Sequence, residues 1–236
     1  MSNRTPNESS LALVSFISLG PGDAELLTAK AIRLLQKADV VMVPSTEMKS
    51  RAAKIVGEWR NEEQIETFLV PMSKDRRAVM AVYDEMTEHI KSLHAQGLQV
   101  VVAVEGDVSI YASIHYVLDR LQADGIAVEQ VAGIPSFIAA AAHAGISLVS
   151  QRQRLVIIPG DADVATLQQL LQSNHVVVVM KLSQCRQALR SLLLKSAVVC
   201  HYFENIGTPD VYYTTTPAEI LAREIPYFSL CILYPA

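Results

Sequence analysis

The chain has 236 residues, half of them hydrophobic, a length and content that can bury a full core divided over two lobes. A net charge of −4, 19% charged residues and scattered basic side chains argue against an electrostatic nucleic-acid binder. No apolar run is long enough to span a bilayer, and those at 100–104 and 176–180 suit buried strands, so no membrane association is expected.

Residues 1–10, MSNRTPNESS, are polar and lack an apolar core, which predicts a disordered tail rather than a signal peptide. Residues 11–19 have the pattern of a first strand and run directly into Gly20-Pro21-Gly22-Asp23. Leu27, Ala31, Leu34 and Ala38 then mark one face of a helix, with Asp23 placed to cap it. This strand, tight turn and helix open a βαβ unit. The GxGxxG fingerprint is absent, and Gly-Lys-Ser/Thr occurs nowhere in the chain. The turn therefore suits a ligand that needs close backbone approach and no phosphate cradle. Residues 39–44 predict a second strand ended by Pro44, 47–60 a mobile or helical connection, and 68–71 a short extended piece. A helix over 75–96 follows from Val79, Val82, Met86, Ile90 and Leu93, with Gly97 closing it.

The valine-rich strand at 100–104 leads into EGDVSIYAS, residues 105–113. Gly106 allows another molecule to approach the backbone, and Asp107 offers an acceptor or a charge at the same edge. The same residues also fit an ordinary strand-to-helix turn with a cap. Ile110, Ile114, Val117, Leu118 and Leu121 predict one face of the helix that follows, ending at Asp124-Gly125. After a strand over 126–131, Ala132-Gly133-Ile134-Pro135-Ser136 enters an Ala-rich helix at 137–144, where Ser136 can cap the helix or bond a ligand. The small side chains at 139–142 suit core packing. Beyond this point the pattern predicts strands at 155–159, 176–182, 197–203, 212–216 and 227–233 with fewer, shorter helices, hence a mixed sheet. The expected organisation is α/β, with an N-terminal lobe over 11–125 and a C-terminal lobe over 126–236. Cys185, Cys200 and Cys231 are widely spaced without a CxxC pair, and the six histidines show no HxxxH or HExxH spacing. Neither a disulfide framework nor a metal site is expected, and a reducing cytoplasm fits.

Taken in order, GPGDAELLT, EGDVSIYAS and AGIPSFIAAAA resemble the tetrapyrrole methylase family, over nearly the whole chain from residue 11. The resemblance implies a parallel-sheet first lobe and a mixed second lobe that hold S-adenosyl-L-methionine between them. LVIIPG at 155–160, VVVVMKL at 176–182 and YFEN at 202–205 are most similar to members that methylate the C-20 meso carbon of precorrin-2 or cobalt-precorrin-2. The cofactor contacts that it implies are Pro21, Gly106, Asp107, Ile110, Pro135, Ser136, Met180 and Ile206; a homodimer is implied as well. Ser18, Ala132 and Pro135 depart from the family pattern. Ser18 stands where a glycine is usual, Ala132 replaces a proline, and Pro135 replaces Ser or Thr. No paired carboxylates or Ser-His-Asp set is recognisable, so no catalytic residue is assigned. Tyr111 is a candidate to steer substrate or accept a proton, and Lys181, Arg152 and Arg154 are candidates to pair with substrate carboxylates. Two other readings stand beside this one. They are methylation at another corrin carbon or of uroporphyrinogen III, and a non-catalytic α/β protein that binds a nucleotide or partner.

Overall fold

The computed structural model describes residues 13–46, 51–71 and 75–235; the polar tail expected at 1–10 lies outside the described residues. The chain divides into two compact units, Met1–Ile134 and Pro135–Ala236.

The first unit contains β1 (Val14–Ser18), α1 (Ala29–Lys37), β2 (Val40–Ser45), α2 (Arg51–Gly57), β3 (Ile65–Leu69), α3 (Arg76–Ala95), β4 (Val100–Val104), α4 (His115–Ala123) and β5 (Val128–Val131). Its sheet has the order β3-β2-β4-β1-β5, and every pairing is parallel. Parallel strands joined by helices are covered on both faces, which explains why β1 and β4 are buried at every residue. Alternation along the strands sends Ile17, Val41, Val43, Val101 and Ala103 towards Ala31 and Leu35 of α1 and Ile55 and Val56 of α2. Phe16, Met42, Val100, Val102 and Val104 face the opposite layer, where Met86 and Ile90 of α3 pack with Val117, Leu118 and Leu121 of α4.

The second unit contains α5 (Ser136–His143), β6 (Arg154–Ile158), α6 (Val164–Gln172), β7 (His175–Met180), α7 (Arg186–Lys195), β8 (Val199–Glu204), β9 (Tyr212–Thr214), α8 (Pro217–Ala222) and β10 (Ser229–Tyr234). Its order is β6-β7-β10-β8-β9, with β6 and β7 parallel and the remaining pairs antiparallel, the mixed sheet that the sequence predicts. Cys185, Cys200 and Cys231 are free thiols in its apolar core. Burial, and then the neighbouring Cys200, push the Cys231 thiol well up, which makes it a packing group rather than a nucleophile. No described helix is long and apolar enough to cross a membrane.

Four local expectations are corrected. β5 pairs with β1 and belongs to the first sheet, so the first compact unit runs to residue 134 instead of ending at 125. Asp23 caps a short 3-10 turn over Ala24–Leu26, while Thr28 caps α1 by accepting the Ala31 N–H. Ile110 is not on the face of α4, because Tyr111 adopts a left-handed conformation (φ 51°) and the helix starts only at His115. Ser136 is the first residue inside α5, with Pro135 at the capping position, so the serine makes no side-chain cap.

Two leucines on helices test the layering. Leu121 is fully buried in the first core and Leu194 is 72% exposed on α7. Leu121→Ala should cost about 2–5 kcal/mol in urea unfolding, through lost transfer energy and the cavity left behind. Leu194→Ala should stay within about 0.5 kcal/mol of the parent.

Candidate functional site

Because the first sheet is parallel, the carboxyl ends of β1, β4 and β5 meet at one edge, with Ser18 opposite Val104 and Ile17 opposite Val131. Open α/β sheets take ligands at that edge. Gly20 and Gly106 exchange backbone hydrogen bonds of 3.1 and 2.7 Å there, both at positive φ (70° and 75°). A Cβ on Gly106 would meet no atom within 4 Å, so glycine is required there by conformation and leaves open space beside the backbone.

Ser18 lies beneath this bridge, fully buried. Its hydroxyl donates to the Val131 carbonyl at 2.7 Å and accepts the Val108 N–H at 2.9 Å, tying β1 to the end of β5 and to the loop after β4. Gly133 needs glycine for space, since a Cβ would sit 2.3 Å from the Ser18 Cβ and 3.2 Å from the Gly106 carbonyl.

Asp107 completes the same junction. One carboxylate oxygen accepts the Gly133 N–H at 2.7 Å, and the other accepts the N–H and hydroxyl of Ser109 at 2.8 and 2.5 Å. Burial raises the carboxyl pKa, but the Gly133 and Ser109 donors outweigh it and hold Asp107 below the usual range. Pro21 is fixed through its carbonyl, which accepts from the Arg51 guanidinium at 3.0 Å; Glu105 lies 3.9 Å from the Arg51 Nε. Ile110 closes the turn by donating its N–H to the Asp107 carbonyl, and Tyr111, 44% exposed, follows it. Pro21, Gly106, Asp107 and Ile110 thus belong to one sheet edge.

In the second unit, β7 and β8 flank β10, and both run antiparallel to it. Met180 and Phe203 therefore lie on either side of Leu230 at the start of β10, which puts Met180 and the Asn205-Ile206 turn at the same end of the sheet. Gly160, just beyond β6, packs there too: a Cβ would lie 2.5 Å from the Lys181 carbonyl oxygen and 3.0 Å from that of Met180. Glu204 ends β8 with its carboxylate buried. Arg223 donates to both oxygens at 2.6 and 2.8 Å, Tyr202 donates its hydroxyl to one at 2.6 Å, and Arg223 stacks 3.7 Å above the Tyr212 ring. Burial opposes the charge on Glu204, yet the guanidinium keeps its pKa below the usual value. The carbonyl of Asn205 (φ 50°) accepts the N–H and hydroxyl of Thr208, holding the turn before Ile206. Arg154 starts β6, four residues from the end that packs near Met180, roughly 13 Å along a strand. Arg152 and Arg154 therefore lie towards the opposite end of that sheet from Lys181.

In the sequence Ser18 stands out only as a departure from the family pattern, Arg51 not at all, and Gly160 and Glu204 only as members of the LVIIPG and YFEN motifs. Pairwise spacing carries no signal for the first two, whose partners lie 113 and 30 residues away.

A family model described as Tetrapyrrole (Corrin/Porphyrin) Methylases matches residues 13–222. A Methanocaldococcus jannaschii protein named probable cobalt-precorrin-2 C(20)-methyltransferase is 32% identical over 175 residues, covering 73% of this chain and 74% of that one. The precorrin-2 C(20)-methyltransferase of Sinorhizobium sp is 30% identical over 229 residues, covering 92% and 93%. The uroporphyrin-III C-methyl transferase from Thermus thermophilus, solved with S-adenyl homocysteine, shares the fold: its TM-score is 0.69 at 21% identity, over 94% of this chain and 97% of that one.

The strand-end junction makes two predictions. Gly133→Ala forces a Cβ into Ser18 and should destabilise the chain by about 1–3 kcal/mol in urea unfolding, whereas Gly133→Ala combined with Ser18→Gly should recover part of that loss. Asp107→Asn places an amide donor against either Gly133 or Ser109 and should cost about 1–3 kcal/mol near pH 6. The folded pKa of Asp107 lies below the unfolded value of about 3.9, so its carboxylate stabilises above that pH and the contribution is lost as pH falls through the folded pKa. The gap between parent and variant should therefore close below about pH 4.

Proposed function

Because this chain belongs to the tetrapyrrole (corrin/porphyrin) methylases, we propose that it transfers the methyl group of S-adenosyl-L-methionine to the C-20 meso carbon of precorrin-2 or cobalt-precorrin-2. The family makes it a C-methyltransferase; the near end-to-end match to a precorrin-2 C(20)-methyltransferase is the observation that carries the choice of substrate and carbon.

The residues present suit a nucleoside sulfonium. The first sheet edge offers backbone at Pro21, Gly106 and Ile110, with open space beside Gly106 and neither a Walker lysine nor a GxGxxG turn for phosphate. Asp107 acts chiefly through Gly133 and Ser109, since both its oxygens already accept from protein donors, and it retains lone pairs for a further donor. In the second unit the half-buried Met180 and the buried Ile206 are the proposed contacts. Pro135 and Ser136 begin α5, where Pro135 offers only its carbonyl and the first turn supplies N–H groups.

When bound, S-adenosyl-L-methionine would supply a methyl group on positively charged sulfur: the electron pair of the meso carbon would form the new bond as the sulfur–methyl bond breaks, leaving S-adenosylhomocysteine, and the C-20 proton would be released. The chain's residues then have to orient, not activate. Holding donor and acceptor atoms within about 3–3.5 Å replaces a bimolecular encounter by an intramolecular one. Rigid strand ends suit that task, and the doubly bonded Ser18 and Asp107 supply the rigidity. Lys181 is the proposed partner for a substrate carboxylate, and Tyr111 is the proposed side chain to steer the macrocycle. A cytoplasmic homodimer is the proposed working state.

Incubation with methyl-labelled S-adenosyl-L-methionine and either acceptor should give a singly methylated product whose label is placed at C-20 by NMR. Label at another carbon, or transfer only to uroporphyrinogen III, would replace the proposed specificity. An absence of transfer to any tetrapyrrole would favour a binding protein instead.

A further inference from the structure

Among the described residues, four that are not glycine have left-handed backbones: Tyr111 (φ 51°), Asn174 (58°), Lys181 (53°) and Asn205 (50°). Asparagine tolerates this region because its short amide can bond locally; tyrosine and lysine have no such compensation, and an L side chain there crowds the carbonyl that follows. Three of the four abut a residue proposed above to contact the cofactor: Tyr111 follows Ile110, Lys181 follows Met180, and Asn205 precedes Ile206. Asn174 lies in the turn between α6 and β7 and abuts none of them. Strained backbone persists only where the surroundings hold it, and it gathers at binding sites.

The surroundings of Lys181 hold it from several sides. Met180 is the last residue of β7 to pair with β10, through Leu230. The chain then reverses at Lys181 instead of continuing the strand. The carbonyl of Lys181 accepts the Gln184 N–H at 3.0 Å, and the fully buried Leu182 anchors the next residue. Just past the neighbouring strand β6, Gly160, at positive φ (83°), packs so close that a Cβ on it would lie 2.5 Å from the Lys181 carbonyl oxygen and 3.0 Å from that of Met180. A glycine that close has no use if the Met180-Lys181 turn is free to relax.

We propose that Lys181 is a positioning residue that acts through its main chain: its left-handed conformation, clamped by Gly160, presets the Met180 backbone for the cofactor, independently of the ammonium group. Tyr111 and Asn205 do the same for Ile110 and Ile206. This rests on the cofactor reading above and adds a means of presetting the contacts. It also separates two roles at one residue, since a charge that pairs with substrate is dispensable for cofactor binding and the backbone is not.

The test is isothermal calorimetry with S-adenosylhomocysteine, with melting temperature measured alongside. Lys181→Gly removes the charge but keeps the left-handed backbone accessible, and it should bind within about threefold of the parent. Lys181→Val removes the same charge and disfavours that backbone, and it should bind about tenfold or more weakly. Lys181→Ala, a milder change, should fall between them and serves if the valine variant does not fold. Asn174→Val is the control: it strains a left-handed residue in the same unit and should lower the melting temperature while leaving affinity unchanged. Equal losses for Lys181→Gly and Lys181→Val would assign the effect to the side chain and overturn the proposal. So would parent-like binding by the valine and alanine variants, or an equal loss in Asn174→Val. A parent protein that binds no S-adenosylhomocysteine would instead overturn the cofactor reading itself, and this inference with it.

Discussion

The first unit depends on the closeness of three parallel strand ends. Ser18 and Gly133 approach so nearly that a single Cβ on residue 133 would overlap Ser18, and the buried hydroxyl uses that closeness to bond the end of β5 and the loop after β4. Backbone groups brought together this tightly and shut off from water must be paired, or each costs about 1–3 kcal/mol. Ser18 and Asp107 supply the pairing. The open space beside Gly106 can then exist at an edge that is otherwise satisfied internally.

The edge of the second sheet reaches a comparable result by different means. Among the described residues no serine ties strands together at that edge. Glu204 is held by a forked arginine and a tyrosine hydroxyl, in an environment where an unpaired carboxylate would be expensive. Packing supplies the rest, with Gly160 against the turn after β7 and the Asn205 carbonyl bonded by Thr208. In both units the constraint falls on the main chain at strand ends. That matches a methyl transfer in which proximity and orientation do most of the work.

Much of this could be anticipated from local pattern. The buried strand β4 and the buried middle of β7 show as unbroken apolar runs, and β1 as an apolar run with Ser15 and Ser18 interspersed; the second half, expected to have fewer helices, has four α-helices like the first, and its antiparallel pairing sets it apart instead. The ordered motifs GPGD, EGDVSIY and AGIPS carried the family, and the first two mark residues that do share an edge. Other expectations failed where a non-local contact prevailed. Local pattern groups the strand at 126–131 with the second lobe, but it pairs with β1, a partner more than 100 residues earlier. Ile110 fits a helical face by spacing, yet the left-handed Tyr111 delays the helix until His115. Ser136 has the composition of a cap and sits one position too late to act as one.

The sequence by itself determined the two kinds of sheet, the cores and the kinship, because hydrophobic period and turn chemistry are local properties that each segment carries unaided. Only the tertiary structure decided what Ser18, Gly133, Gly160 and Asp107 do. A close approach between strand ends is a property of two segments at once, and neither segment records the distance to the other.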